Sequence, residues 1–158
     1  MRELATRKFF MLGDDTADVD GAGVLVWYGT KHDLEEFSPE DTLKMVIYVF
    51  ELALRTYDRV SIILYAPRGS PFDLKLIRSI VTVLGDNYPE TLNKAIVFPI
   101  GSYTPVLFKM VKVFMDPKTA NKVVLLPGNR DGSGRRRPPG LKEYLDPQKT
   151  PKVRLLKA

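Results

Sequence analysis

The chain has 158 residues, 44% of them hydrophobic and 27% charged, with no cysteine. This is enough for one well-packed domain, and it excludes disulfides, thiolate metal ligands and a cysteine nucleophile. The net charge of +5 is unevenly placed: residues 1–117 carry 13 basic against 16 acidic side chains, and residues 118–158 carry 11 against 3. A basic C-terminal quarter on a near-neutral body suits an anionic surface, or else a solvated tail.

In chain order, Lys8–Leu12 (KFFML) predicts a short edge strand. The N-terminus lacks an apolar stretch ahead of a small-residue cleavage site, so no signal peptide is expected. The acidic loop Gly13–Gly23 contains DDTADVDG, but aligning Gly21 on the calcium-loop glycine puts Trp27 where the closing glutamate belongs, so a calcium site is not expected. Val24–Tyr28 (VLVWY) reads as a buried strand. Ser38-Pro39-Glu40-Asp41 is a helix start with a capping serine and proline in the first turn. That helix should run to about Tyr57 and bury Leu43, Val46, Ile47, Phe50 and Leu54.

Val60–Tyr65 (VSIILY) predicts a second buried strand, and Ser70-Pro71-Phe72-Asp73 starts a second helix that ends at Gly85 with Leu74, Ile77, Val81 and Leu84 inward. Ala95–Phe98 and Val123–Leu126 are the third and fourth buried strands. Strands alternating with helices predict an α/β fold with a mainly parallel sheet. Residues 1–127 form the domain core, 128–140 (GNRDGSGRRRPPG) a flexible basic loop and 141–158 a tail, with one helical turn at Leu141–Leu145 and a weakly patterned segment at Lys152–Leu156.

The familiar catalytic patterns are missing. His32 is the sole histidine, and a surface role is expected for it; neither a glycine-rich phosphate loop nor a Gly-x-Ser-x-Gly elbow occurs. The chain therefore does not read as an enzyme. The informative stretch is PVLFKMVKVFM, Pro105–Met115, which Ser102 or Thr104 can cap and in which only Lys109 and Lys112 are charged. A helix apolar nearly all round is either buried centrally or acts as a wall with a ligand on one side and lipid on the other.

DNYPETL (Asp86–Leu92), a strand, this apolar helix, and Asp-Pro-x-Thr-x-x-Lys at Asp116–Lys122 before a strand together resemble the CRAL-TRIO lipid-binding family. The resemblance covers about Leu12 to Leu126 and is nearest to compact, divergent members. It implies a three-layer sandwich whose parallel sheet floors an apolar cavity gated by the helix at residues 103–115. Gate and cavity residues would be Tyr103, Leu107, Phe108, Met110, Val111 and Phe114. It also implies a phospholipid ligand such as a phosphoinositide, with Glu90, Thr119 and Lys122 at the headgroup and no cofactor besides bound lipid. The alternative for the last motif is a short helix begun by Asp116-Pro117 with Thr119 and Lys122 on its surface.

Arg135, Arg136 and Arg137 would meet an anionic membrane surface. A cytoplasmic protein with peripheral membrane association is expected. The alternative function is a scaffold for a small GTPase or its regulator. Nucleic acid is not an expected partner, because Tyr144 is the only aromatic in the basic quarter. The family's helical N-terminal subdomain and its C-terminal Leu-Pro-x-x-Tyr-Gly-Gly have no counterpart here.

Overall fold

The computed structural model describes residues 2–13, 15–101, 104–127 and 139–145. Tyr103, Arg135, Arg136, Arg137, Ser102 and the segment Lys152–Leu156 lie outside them. Five strands form one sheet in the order β1-β2-β3-β4-β5: β1 Phe9–Met11, β2 Gly23–Tyr28, β3 Val60–Tyr65, β4 Leu92–Ile100 and β5 Val123–Pro127. The edge strand β1 is antiparallel to β2; the other pairs are parallel. The connections carry helices α1 Pro39–Leu54, α2 Leu74–Asn87, α3 Thr104–Lys112 and α4 Pro117–Asn121. The predicted α/β class and mainly parallel sheet are what the chain adopts.

The caps follow local chemistry. The Ser38 hydroxyl accepts the Asp41 amide at the start of α1, and Pro39 occupies the first turn, where its missing N–H costs nothing. In α2 the cap is Asp73, whose carboxylate accepts the Leu76 amide, so the helix starts after Asp73 rather than at Ser70 and runs on to Asn87. The buried face of α1 is Thr42, Met45, Val46, Val49, Phe50 and Ala53. It is rotated from the expected stripe, and the reason is Thr42, a polar residue recruited into the interior.

Thr42 belongs to a buried polar group beside the edge strand. Lys8, fully buried, forms an ion pair with Glu3 and reaches His32 Nδ1 at 3.2 Å and Thr42 Oγ1 at 3.3 Å; the Thr42 hydroxyl donates to Glu3. The Phe37 ring lies 5.0 Å from the Lys8 ammonium. His32 is only 6% exposed, which corrects the surface role expected of it. Its partner stands 24 positions earlier, inside an apolar run. A second knot forms at Asp18, which accepts the amides of Asp20 and Ala22 at 2.9 Å, the Ser61 hydroxyl, and the Asn93 side-chain amide at 2.7 Å. The acidic loop is thereby tied to β3 and β4. No described helix is long and apolar enough to cross a membrane.

The His32 ring is held below the ordinary imidazole value, first by burial and then by the Lys8 charge, against the opposing pull of Asp73, Glu3 and Asp33. Its folded value lies below its unfolded value, so acid favours the unfolded chain. Stability is full above the unfolded value of about 6.5 and declines as pH falls through it. Urea unfolding should therefore show a stability loss between about pH 7 and pH 5 that is smaller in His32→Gln. Equal losses in the two proteins would contradict this assignment.

Candidate functional site

Alternation along the strands gives the sheet two faces, and they are covered unequally. On one face Val24, Val26, Ile63, Ile96, Phe98 and Leu126 are buried, sealed in part by Leu141 of a 3-10 turn at Pro139–Glu143 and by Tyr144 and Leu145 just after it. On the other face α1 covers β1 and β2, burying Phe9 and Leu25 against Met45, Val49 and Phe50. Further across that face the cover thins. The parallel register aligns Leu25 with Ile62, Ala95 and Val123, and Trp27 with Leu64, Val97 and Leu125. Ile62, Leu64, Ala95, Val97, Val123 and Leu125 are all only half-buried, although Ile62, Leu64, Ala95, Val97 and Leu125 each neighbour a buried residue of the opposite face.

The helices above this region are correspondingly loose. Helix α2 packs on α1 and α3, and Leu76 is its one buried residue. Leu74, Ile77, Val81 and Leu84, expected inward, are half-buried. Helix α3 buries only Val111. Leu107, Phe108 and Phe114 are half-buried, with the Arg78 guanidinium of α2 resting 4.9 Å above the Phe114 ring. The helix ends at Lys112 rather than Met115, and Met110 points outward with Val106 and, in the turn just past that end, Val113; the three are 44%, 57% and 80% exposed. The centrally buried alternative for this helix is thus overturned. The helix is peripheral, with aliphatic side chains facing water along one stripe and Lys109 and Lys112 exposed beside it. The half-buried residues of α2, α3 and this part of the sheet make up an incompletely covered apolar region, called the trough below.

The polar candidates meet where β4 and β5 begin. Tyr88-Pro89-Glu90-Thr91 is a turn closed by the Thr91 amide on the Tyr88 carbonyl at 3.4 Å, with Glu90 at φ 61°. One Glu90 carboxylate oxygen lies 3.5 Å from Lys122 Nζ and the other 3.3 Å from Lys118 Nζ. The carboxyl is held below its ordinary value mainly by its hydrogen bond to Lys118 and that residue's charge, with Lys122 adding to both effects. Asp116 caps α4 by accepting the Thr119 amide at 3.0 Å. The structure thus contains the short helix begun by Asp116-Pro117, with Thr119 and Lys122 half-buried rather than on its surface. The arrangement brings Glu90 and Lys122 together.

Two features escaped the sequence reading. Lys118 fills a variable position of its motif, and only the fold brings it to Glu90. The floor strands were legible as continuous apolar runs, but the thin cover over one face was not.

A sequence model of the CRAL/TRIO domain matches residues 4–153, and the chain belongs to the CRAL/TRIO domain family. It is similar to the phosphatidylinositol/phosphatidylcholine transfer protein SFH12 of Arabidopsis thaliana, 47% identical over 55 residues, which is 35% of this chain and 10% of that protein. It is similar also to SFH9 of the same plant, 37% identical over 76 residues, 48% of this chain and 12% of that protein. The crystal structure of Sfh5 matches with a TM-score of 0.72 over 92% of this chain and 52% of that one, at 15% identity, a likeness of fold. The chain thus spans about a tenth of the plant relatives' length and about half of the Sfh5 chain.

The unequal cover predicts unequal mutational costs on one strand. Ile63→Ala, on the sealed face, should cost about 3–4 kcal/mol, and its neighbour Leu64→Ala, over the trough, about half of that, as read by urea unfolding. Equal costs would mean the trough is as tightly filled as the core.

Proposed function

We propose that the chain is a lipid-binding module that shelters an acyl chain of a phospholipid in the trough between the sheet and helices α2 and α3. The observation that carries this reading is the half-buried aliphatic floor of Ile62, Leu64, Ala95, Val97, Val123 and Leu125 beneath helices that bury almost nothing. Leaving such a surface partly wet forgoes stability. An acyl chain that covers it gains roughly 0.8 kcal/mol per methylene removed from water. Trp27 and the α1 layer close one side of the trough, so the chain would lie under α2 and α3.

Helix α3 is the movable wall of this reading. Its inner side offers Leu107, Phe108 and Val111 to the ligand, with Phe114 in the turn that follows. Its outer stripe, Val106, Met110 and Val113 beside Lys109 and Lys112, suits an anionic bilayer, where apolar side chains enter and ammoniums stay at the headgroups. The headgroup phosphate falls to Lys122, with Glu90 accepting from headgroup hydroxyls. The names of the plant relatives, phosphatidylinositol/phosphatidylcholine transfer proteins, support a glycerophospholipid as the ligand and exchange between membranes as its use. A scaffold for a small GTPase or its regulator would need no open trough, so the half-buried floor favours the lipid reading over it.

Native mass spectrometry of protein purified from cells should show an added mass on the order of several hundred daltons, or the protein should take up phosphatidylinositol or phosphatidylcholine from vesicles. Ala95→Phe, which fills the trough from its floor, should abolish both while leaving the unfolding midpoint nearly unchanged. Absence of any adduct and of any uptake by the unmodified chain would reject the reading. Separately, Lys122→Ala should weaken phosphatidylinositol uptake by about tenfold, the scale of one charge-assisted contact; undiminished uptake would reject the headgroup assignment alone.

A further inference from the structure

The turn that presents Glu90 holds the wrong residue for its backbone. Pro89 occupies the second position, as such turns favour, but the third position has φ 61°, which glycine or asparagine adopts readily and glutamate does not. A glutamate held at a left-handed position points to a use for its side chain. Its use here is visible: one carboxylate bridges two ammoniums, Lys118 at 3.3 Å and Lys122 at 3.5 Å. Among the described residues, both lysines have their ion pairs with Glu90. Two cations therefore share one anion, and the site keeps a surplus positive charge.

We propose that Lys118 and Lys122 form a clasp for a phosphomonoester dianion, and that Glu90 is the counter-ion this dianion displaces. The clasp deepens the lipid-binding reading, which supplies the phosphate as a phosphorylated headgroup, but the chemistry is that of any phosphomonoester. Two oxygens of a phosphoryl group can bridge the span that two carboxylate oxygens bridge now. A phosphodiester carries one charge and is balanced with Glu90 still in place. A phosphomonoester carries about −1.5 to −2 at pH 7 and is balanced by both lysines once Glu90 turns away. That exchange is easy because the pairs are exposed: Glu90 and Lys118 have side chains 67% and 80% accessible, and solvated ion pairs of this kind hold weakly. Lys122, at 26%, is the anchored member. Lysine suits the role, since its ammonium acts as a compact charge on a flexible stem that can follow either anion.

The test uses the full chain with phosphatidylcholine vesicles doped either with phosphatidylinositol or with phosphatidylinositol 4-phosphate, and reads the ratio of the two affinities. The monoester should be preferred. Lys118→Gln should cut the ratio by about tenfold and Lys118→Arg should restore most of it. Glu90→Gln, which keeps the side chain's shape and removes the competing charge, should raise the ratio. Lowering the pH from about 7 to about 5 should shrink the ratio, because the monoester takes up its second proton near pH 6. Glu90 itself stays ionised, its value being lowered by the lysines.

A ratio unmoved by Lys118→Gln, or lowered by Glu90→Gln, overturns the clasp. Titration with inorganic phosphate, followed by NMR of the lysine side chains, separates the two readings. Shifts at Lys118 and Lys122 without any uptake from vesicles uphold the clasp and reject the lipid module. Lipid uptake with neither lysine shifting, and with the ratio unchanged in the variants, rejects the clasp and leaves the module.

Discussion

The whole arrangement depends on one constraint of β structure, that neighbouring side chains point to opposite faces. Along β3 this makes Ile63 part of a sealed core while Ile62 and Leu64 look into the trough; along β4 it separates Ile96 and Phe98 from Ala95 and Val97. A sheet sealed equally on both sides would be a stable scaffold with no room for a ligand. Here the sealed face, together with α1 over β1 and β2, supplies the folding energy. That leaves the rest of the second face free to be incompletely packed. Helix α2 is held mainly by α1 and α3, which suits the movable wall proposed for α3.

The charged groups divide along the same line. Glu3 and Lys8 are almost wholly buried, with Thr42 and His32 as added hydrogen-bonding partners, and they pin the N-terminal segment to α1. Removing one member of such a buried pair typically costs about 3–5 kcal/mol, because the other charge is stranded. Glu90, Lys118 and Lys122 lie at the surface, where a pair contributes about 0–1 kcal/mol. The buried set fixes the framework and the exposed set is free to exchange partners. Geometry alone would not separate them, since both are lysine–glutamate contacts at ion-pair distance. Burial does.

Much of the fold was legible because its signals are local. The β-branched run Val60–Tyr65 is a strand with those bounds, and the serine and proline at the start of α1 act as their chemistry dictates. The misreadings share a cause, the recruitment of polar residues by distant partners. Strand β4 begins at Leu92 rather than Ala95 because Asn93 and Lys94 pair with Asp18 and Asp20, which sequence adjacency does not show. The buried stripe of α1 turned because Thr42 faces Lys8. The apolar helix at residues 105–115 stood out correctly, but composition could not say which side faced water. Its stripe of Val106, Met110 and Val113 is visible only once Val111 is seen to be the buried position. Glu90 and Lys122 were marked by the family's motifs; Lys118 and the left-handed backbone of Glu90 were not, because both depend on how the turn meets α4.

The most direct test of the account is where an acyl chain lies. Methyl NMR of the protein with a phospholipid carrying a nitroxide on its acyl chain reads proximity to each aliphatic side chain. Selective broadening of Ile62, Leu64, Val97 and Leu125, with Val26, Ile63 and Ile96 sharp, is the result the account predicts. Broadening confined to the opposite face, or spread evenly over both, would contradict it.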